Sequence, residues 1–346
     1  MDSTNSSNKT YGVIGAGSFG TAIANLLAEN GSVLLYSRNL DLIKVINETR
    51  ENRGQKLHGN ITLTNDLAEL ASNCYLIFPI VPSENFGAML DNLAPHLKPY
   101  HTLIHGTKGL HVNKKLKAGL QLKKDEVHTM SELIAMKTGV VKIGCLAGPN
   151  LASELADMQP AATVIASHFD EVIAEGQLAL RSSRFRIYGS KELTGVELAG
   201  VLKNYIAILS GMLSGMGFGE NSRALLITRG MAELIFIAKS LGASEKAFLG
   251  LAGVGDLIAT CNSPKSRNYR VGLGLSQGKN LDTIIKEIGE VAEGVKTLQI
   301  VKALEQYGFK APMAKILHKI IFEDFPLEKG LEFLMKFPVD KDAEYI

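Results

Sequence analysis

Apolar and polar positions follow two different patterns along this chain, and the change comes near residue 192. Before it, short apolar runs recur: YGVI (11–14), VLLY (33–36), CYLIFPIV (74–81), TLIHG (102–106), KIGCLA (142–147), AATVIAS (161–167) and FRIYG (185–189). Runs of this length, rich in β-branched and aromatic residues, are the mark of buried strands. Helical patterns or loops separate them. The first is TAIANLLAEN (21–30), which Gly31 is placed to close as a C-cap. Alternation of β and α elements predicts a doubly wound, mainly parallel sheet. Pro79 interrupts CYLIFPIV. Proline lacks the ladder donor, so that strand is expected to be shortened or bulged.

After residue 192 the β-rich runs stop and helical patterns take over. LTGVELAG opens an apolar helix with Thr194 as its expected N-cap, and the helix continues through VLKNYIAILSGM to residue 212. A glycine loop and a long helix ending near Gly242 follow. LAGVGDLIATCNSPKSRNYRVGLGL (251–275) then carries a second glycine-rich turn, an acid and a basic cluster. The expected organisation is a disordered polar arm (1–9), an α/β domain (10–192) and an all-helical second domain (193–346).

Composition narrows the classes. With 346 residues, 46% hydrophobic and 21% charged, the chain has an ordinary globular make-up with room for two domains. A net charge of +2 gives no general attraction to nucleic acid. Cys74, Cys145 and Cys261 are far apart and odd in number, which fits a reducing cytoplasm better than a disulfide framework. No stretch is read as an integral membrane span or a signal peptide, and no His/Cys/Asp cluster has metal-ligand spacing. His101 and His105, which flank a strand, are read as structural.

The first strand runs into GAGSFG, a G-x-G-x-x-G loop made by Gly15, Gly17 and Gly20 between strand and helix. Gly15 permits the turn, Gly17 lets backbone approach a pyrophosphate, and Gly20 packs helix on strand. Free N–H groups at the helix start complete an anion site. This is the Rossmann-type pattern. The second strand ends in YSRN, without the acid that holds a ribose 2′-hydroxyl. Arg38 stands there and suits a 2′-phosphate, so NADP(H) is preferred, with NAD(H) also admissible. Further unusual residues follow the carboxyl ends of strands: VPS (81–83), TKGL (107–110) with Lys108, and GPN (148–150).

The apolar helix raises its own question. Lys203 has Ala199, Ala207, Gly200 and Ile206 as helical neighbours, and no acid among them. A buried ammonium needs a partner from elsewhere, and Asp256, between Gly255 and an apolar stretch, is the candidate. The pair has two readings: a structural ion pair, or a proton donor and acceptor for hydride transfer to a carbonyl.

GAGSFGTAIA, TKGL, GPN, VELAGVLKNYIAI, GFGENSRALLITRG, LAGVGDLIATC, KSRN and VAEG occur in this order over nearly the whole chain. In these blocks the chain resembles the bacterial NAD(P)-dependent glycerol-3-phosphate dehydrogenases. The resemblance implies interconversion of sn-glycerol 3-phosphate and dihydroxyacetone phosphate, supplying phospholipid synthesis in the cytoplasm. It implies Lys203 as general acid and base, with Asn204 beside it and Asp256 paired to it. It implies Lys108, Gly148, Asn150, Ser266, Arg267 and Asn268 as further substrate contacts. Gly15, Gly17, Ser18, Phe19, Gly20, Arg38, Lys108, Ala152, Arg267, Val291 and Glu293 are implied for the cofactor. Asn150 departs from the hydroxyl residue usual at its position. The implied partner is a small phosphorylated substrate, without nucleic acid, and homodimerisation stays open. Two other classes compete: a related lysine-dependent dehydrogenase of a β-hydroxyacid or sugar acid, and a non-catalytic NADP(H) sensor.

Overall fold

Eight strands form one sheet in the computed structural model, which describes residues 9–117, 119–289, 292–308 and 311–335. Residues 1–8 of the polar arm, and Val291, lie outside the described residues. The strands are β1 (Thr10–Ile14), β2 (Ser32–Tyr36), β3 (Ile61–Thr64), β4 (Leu76–Pro79), β5 (Thr102–His105), β6 (Lys142–Ala147), β7 (Ala161–Ser167) and β8 (Phe185–Ser190). Their spatial order is β8-β7-β6-β5-β4-β1-β2-β3. Read from β3, the first six give 3-2-1-4-5-6, the order of a dinucleotide-binding sheet. All pairings are parallel except β6 with β7.

Successive strand residues point to opposite faces, and each face has its own core. Val13, Phe78 and Ile104 join one cluster of buried side chains, and their neighbours Ile14, Ile77 and Leu103 join the other. Helices α1 (Ser18–Ala28), α2 (Leu40–Thr49), α3 (Leu67–Asn73), α4 (Ser83–Leu93), α5 (Met130–Lys137), α6 (Ala152–Ala156) and α7 (Asp170–Leu180) connect the strands. Pro79 ends β4 as its fourth residue. The ladder from β4 to β1 has four pairs, but that to β5 has two, because the missing N–H falls on the β5 side. The proline carbonyl still accepts from Gly106 N–H at 3.0 Å.

The chain divides into two compact units: residues 1–107 with 130–193, and residues 108–129 with 194–346. The segment 108–129, which the sequence reading kept in the first domain, thus belongs with the second. The second unit holds α8 (Leu193–Gly215), α9 (Glu220–Ser240), α10 (Asp256–Asn262), α11 (Arg267–Ser276), α12 (Leu281–Ile288), α13 (Glu293–Ala303), α14 (Pro312–Phe322) and α15 (Leu327–Met335). Its described residues from 193 onwards carry helices and no strand, as expected, and the 108–129 segment adds a short antiparallel ladder of His111–Val112 with Val127–His128.

Three local readings need correction. Gly31 does not cap α1, whose C-cap is Glu29. It is there because a Cβ would lie 2.4 Å from the Lys9 carbonyl oxygen, where the chain turns back beside β1. Thr194 is not an N-cap, for α8 begins at Leu193. Finally, α8 is long and apolar enough by length and composition to cross a membrane, contrary to the sequence reading. Its apolar window is entirely buried within the protein, so its hydropathy is that of a core helix.

Candidate active site

The glycine loop of the first unit meets each demand placed on it. Gly15 has φ +118°, and a Cβ there would sit 2.1 Å from the Ile80 carbonyl oxygen. A Cβ on Gly20 would sit 1.9 Å from the Gly15 carbonyl oxygen, so α1 reaches the sheet only with glycine there. Gly17, the exposed N-cap of α1, has open space around its would-be Cβ and offers no side-chain cap. The start of α1, at Ser18 and half-buried Phe19, has the form of a helix-terminus anion site. This cradle fits a dinucleotide pyrophosphate.

A hairpin that sequence reasoning passed over braces this loop. Asn52 donates to the Ala16 carbonyl at 3.0 Å and to Thr21 Oγ1 at 2.7 Å, and Gln55 donates to the Ser18 carbonyl at 2.8 Å. At the end of β2, Ser37 is buried and Arg38 is exposed before α2. Asn150 donates to Thr163 Oγ1 at 2.7 Å, while its buried Oδ1 has no partner. Gly148 beside it has φ +156°. Ala152 opens α6. His101 and His105 are buried, His101 bonding main-chain groups at Lys98 and Ala71, and His105 bonding Ser131.

In the second unit, a π-helical turn (Leu251–Gly255) precedes α10 and makes Asp256 its first residue. Such turns recur at functional positions. Lys203, 3% exposed on α8, meets Asp256 Oδ1 at 3.1 Å and donates to Thr260 Oγ1. Asp256, also 3% exposed, takes Lys108 Nζ on its other oxygen at 2.7 Å. One carboxylate thus holds two ammonium groups. Thr260 donates back to the Asp256 carbonyl at 2.6 Å, which leaves its oxygen to accept from the lysine. Burial lowers the Lys203 pKa to about 8, Asp256 opposes that shift, and Lys108 adds to it.

Asn204 follows on α8, 4% exposed, and accepts from Asn268 Nδ2 at 2.9 Å. Asn268 in turn accepts from Gly294 N–H at 3.0 Å. Its side chain is therefore engaged within the protein through its oxygen and one amide hydrogen, and for a phosphate it offers the second amide hydrogen and its main-chain N–H in the first turn of α11. Buried Ser266 N-caps α11 through Tyr269 N–H, and Arg267 is exposed at the first helical position. Glu293 opens α13. Lys108, Lys203, Asn204, Asp256 and Asn268 are thus gathered in one unit. Sequence reasoning missed Thr260, although its place four residues after Asp256 on a helix was a usable signal.

Strand order, glycine loop and buried lysine–carboxylate pair define the class, an NAD(P)-linked dehydrogenase. The chain belongs to the NAD-dependent glycerol-3-phosphate dehydrogenase family, whose N-terminal model matches residues 10–173 and whose C-terminal model matches residues 192–332. It is 42% identical over 340 residues to a glycerol-3-phosphate dehydrogenase (NAD(P)+) of Ectopseudomonas mendocina, covering 96% of each chain. A second relative of the same description, from Pseudomonas fluorescens SBW25, is 42% identical over 342 residues, again with 96% of each chain covered. The crystal structure of glycerol-3-phosphate dehydrogenase from Coxiella burnetii superposes with a TM-score of 0.86 at 30% identity, over 95% of this chain and 99% of that one.

Proposed function

We infer that this protein interconverts sn-glycerol 3-phosphate and dihydroxyacetone phosphate with NAD(P)H, and that Lys203 gives and takes the proton. The observation that carries the reading is the state of Lys203. It is buried, its pKa is brought to about 8, and Asp256 and Thr260 hold it. Those two acceptors occupy two of its three N–H donors, which leaves one for a substrate oxygen. An ammonium of lowered pKa releases a proton more readily than an exposed lysine and recovers it in the reverse direction.

The reduced nicotinamide, when bound, supplies the hydride. Gly15, Gly17, Ser18, Phe19 and Gly20 would hold the pyrophosphate, with Ala152, Lys108, Arg267, Val291 and Glu293 as further contacts. Ser266, Arg267 and the main-chain N–H of Asn268 would take the substrate phosphate, for which a guanidinium and helix-start amides are suited. Gly148 and Asn150 would line the substrate, Asn150 through its unpartnered Oδ1. The related hydroxyacid dehydrogenases act on carboxylates, and a cofactor sensor has no need of the lysine–carboxylate pair. Neither reading is favoured. The same reading puts the enzyme in the cytoplasm, feeding phospholipid synthesis.

The test is the loss of NADPH absorbance with dihydroxyacetone phosphate, compared with unphosphorylated dihydroxyacetone. Turnover of the phosphorylated ketone alone supports the reading, and equal rates or none would overturn it. Cofactor choice has its own test. Arg38→Asp should weaken NADPH binding by about 2–4 kcal/mol, through loss of a charge-assisted pair and gain of a repulsion, and NADH binding far less. Equal losses by titration would remove the preference for NADP.

A further inference from the structure

The amides of Asn204 and Asn268 lie in series behind a main-chain group. Gly294 N–H meets the Asn268 side chain at 3.0 Å, and the other end of that side chain meets Asn204 at 2.9 Å. A backbone N–H can only donate, so the Asn268 atom facing it must be the oxygen. The remaining Asn268 atom is then the NH2 group, which can only donate, so the Asn204 atom facing it must also be oxygen. Asn204 is left with its NH2 directed elsewhere. One of its hydrogens has the Gly200 carbonyl at 3.5 Å, a long contact, and the second has no acceptor among the described bonds.

We propose that Gly294, acting through Asn268, fixes Asn204 as a hydrogen-bond donor to the substrate's reacting oxygen, which makes Gly294 and Asn268 positioning residues for the reaction. The proposal rests on the reading of the site given above. The chemistry needs this polarity. As a ketone is reduced, negative charge develops on its oxygen, and a donor already aimed there stabilises the charge where a carbonyl would repel it. An isolated asparagine can turn over, with its two ends nearly equal in shape. Here a turn of Asn204 would set NH2 against NH2 at Asn268, and a turn of both would set the Asn268 NH2 against the Gly294 N–H. Gly294 also holds the spacing. A Cβ there would lie 2.7 Å from Asn268 Oδ1 and 2.8 Å from the Asn204 carbonyl oxygen, so any larger residue pushes the relay apart.

Neutron diffraction from the perdeuterated enzyme reads the orientation directly. The deuterons of Asn204 should lie on the atom facing away from Asn268, and deuterons facing Asn268 would overturn the relay. The kinetic arm uses Asn268→Asp, whose carboxylate still accepts from Gly294 but cannot donate, so Asn204 must reverse. With dihydroxyacetone phosphate, kcat should fall by roughly 10–100-fold while the melting temperature and NADPH affinity stay near wild type. Gly294→Ala, which adds no charge, should lower kcat in the same direction. An unchanged kcat with only a raised KM in both variants would reduce Asn268 to a phosphate contact and end the proposal. A wild-type enzyme inert towards dihydroxyacetone phosphate would sink the assigned reaction. An active wild type with Asn204 reversed would sink the relay alone.

Discussion

Lys203 shows how surroundings set the acid–base character of a single side chain. Burial alone would drive the proton off, and Asp256 opposes this, so the group titrates near 8. The sign for activity follows. Carbonyl reduction needs the charged lysine, so its kcat/KM should be flat below about pH 8 and fall about tenfold per unit above it. Alcohol oxidation needs the neutral amine and should rise through the same pH to a plateau. Lys203→Met should cut kcat by about 10²–10⁴-fold and erase both limbs. Profiles flat from pH 7 to 9.5 in the wild type would return the lysine to a structural role. The pairing with Asp256 was legible in the sequence, since each charge stood in an apolar stretch and needed a partner. The second ammonium on Asp256 was not, because Lys108 lies 148 positions away and nothing local joins them. Thr260 was legible only through its spacing from Asp256, since a threonine inside an apolar helix otherwise reads as one more small core residue.

Elements were legible where burial is complete. The runs at 142–147 and 161–167 match β6 and β7 to the residue. The strand of the large sheet that was missed is β3, four residues at the sheet edge whose ITLT pattern is neither long nor continuously apolar. Interactions between helices were beyond the pattern altogether, and Glu233 on α9 is the clearest case. Ala311 gives α14 no side-chain cap. Instead, buried Glu233 accepts from Met313 N–H at 2.8 Å and Ala314 N–H at 3.0 Å, and takes Tyr205 of α8 at 2.9 Å. One carboxyl thus ties three helices. Burial raises its pKa from 4.5 to about 7. A carboxyl whose native pKa is raised contributes stability that is full below about 4.5 and lost as pH climbs through 7. Glu233→Gln cannot ionise, and its one amide oxygen keeps an acceptor for one of the two amides, which bond different carboxyl oxygens. Its melting temperature relative to wild type should therefore rise between pH 4.5 and 7.5. Parallel melting curves across that range would show that the carboxyl does not titrate there. Glu233→Ala should lose about 1–3 kcal/mol at pH 5, through the stranded amides.

At the scale of the whole chain, the change of pattern near residue 192 marked where helices take over. It could not mark the return of 108–129 to the helical unit, because that segment lacks a periodicity of its own. Main-chain and side-chain bonds hold it there. Leu122 donates to the Ala303 carbonyl at 3.0 Å and accepts from Gln306 at 2.7 Å, and Lys124 reaches the Ser240 carbonyl at 2.8 Å. A fragment of residues 194–346 should therefore melt with poor cooperativity. The same fragment with 108–129 joined by a flexible linker should melt as one unit. Superposable circular-dichroism melts of the two would refute the dependence. Lys108, the residue that shares Asp256 with Lys203, stands at the head of that returning segment. The helical unit is consequently not a cassette that recombination can move in one cut. A gene exchange at codon 193 would carry away the acid and the central lysine and leave the second lysine with the nucleotide-binding half, so the two halves can evolve apart only if they stay matched at this one carboxylate.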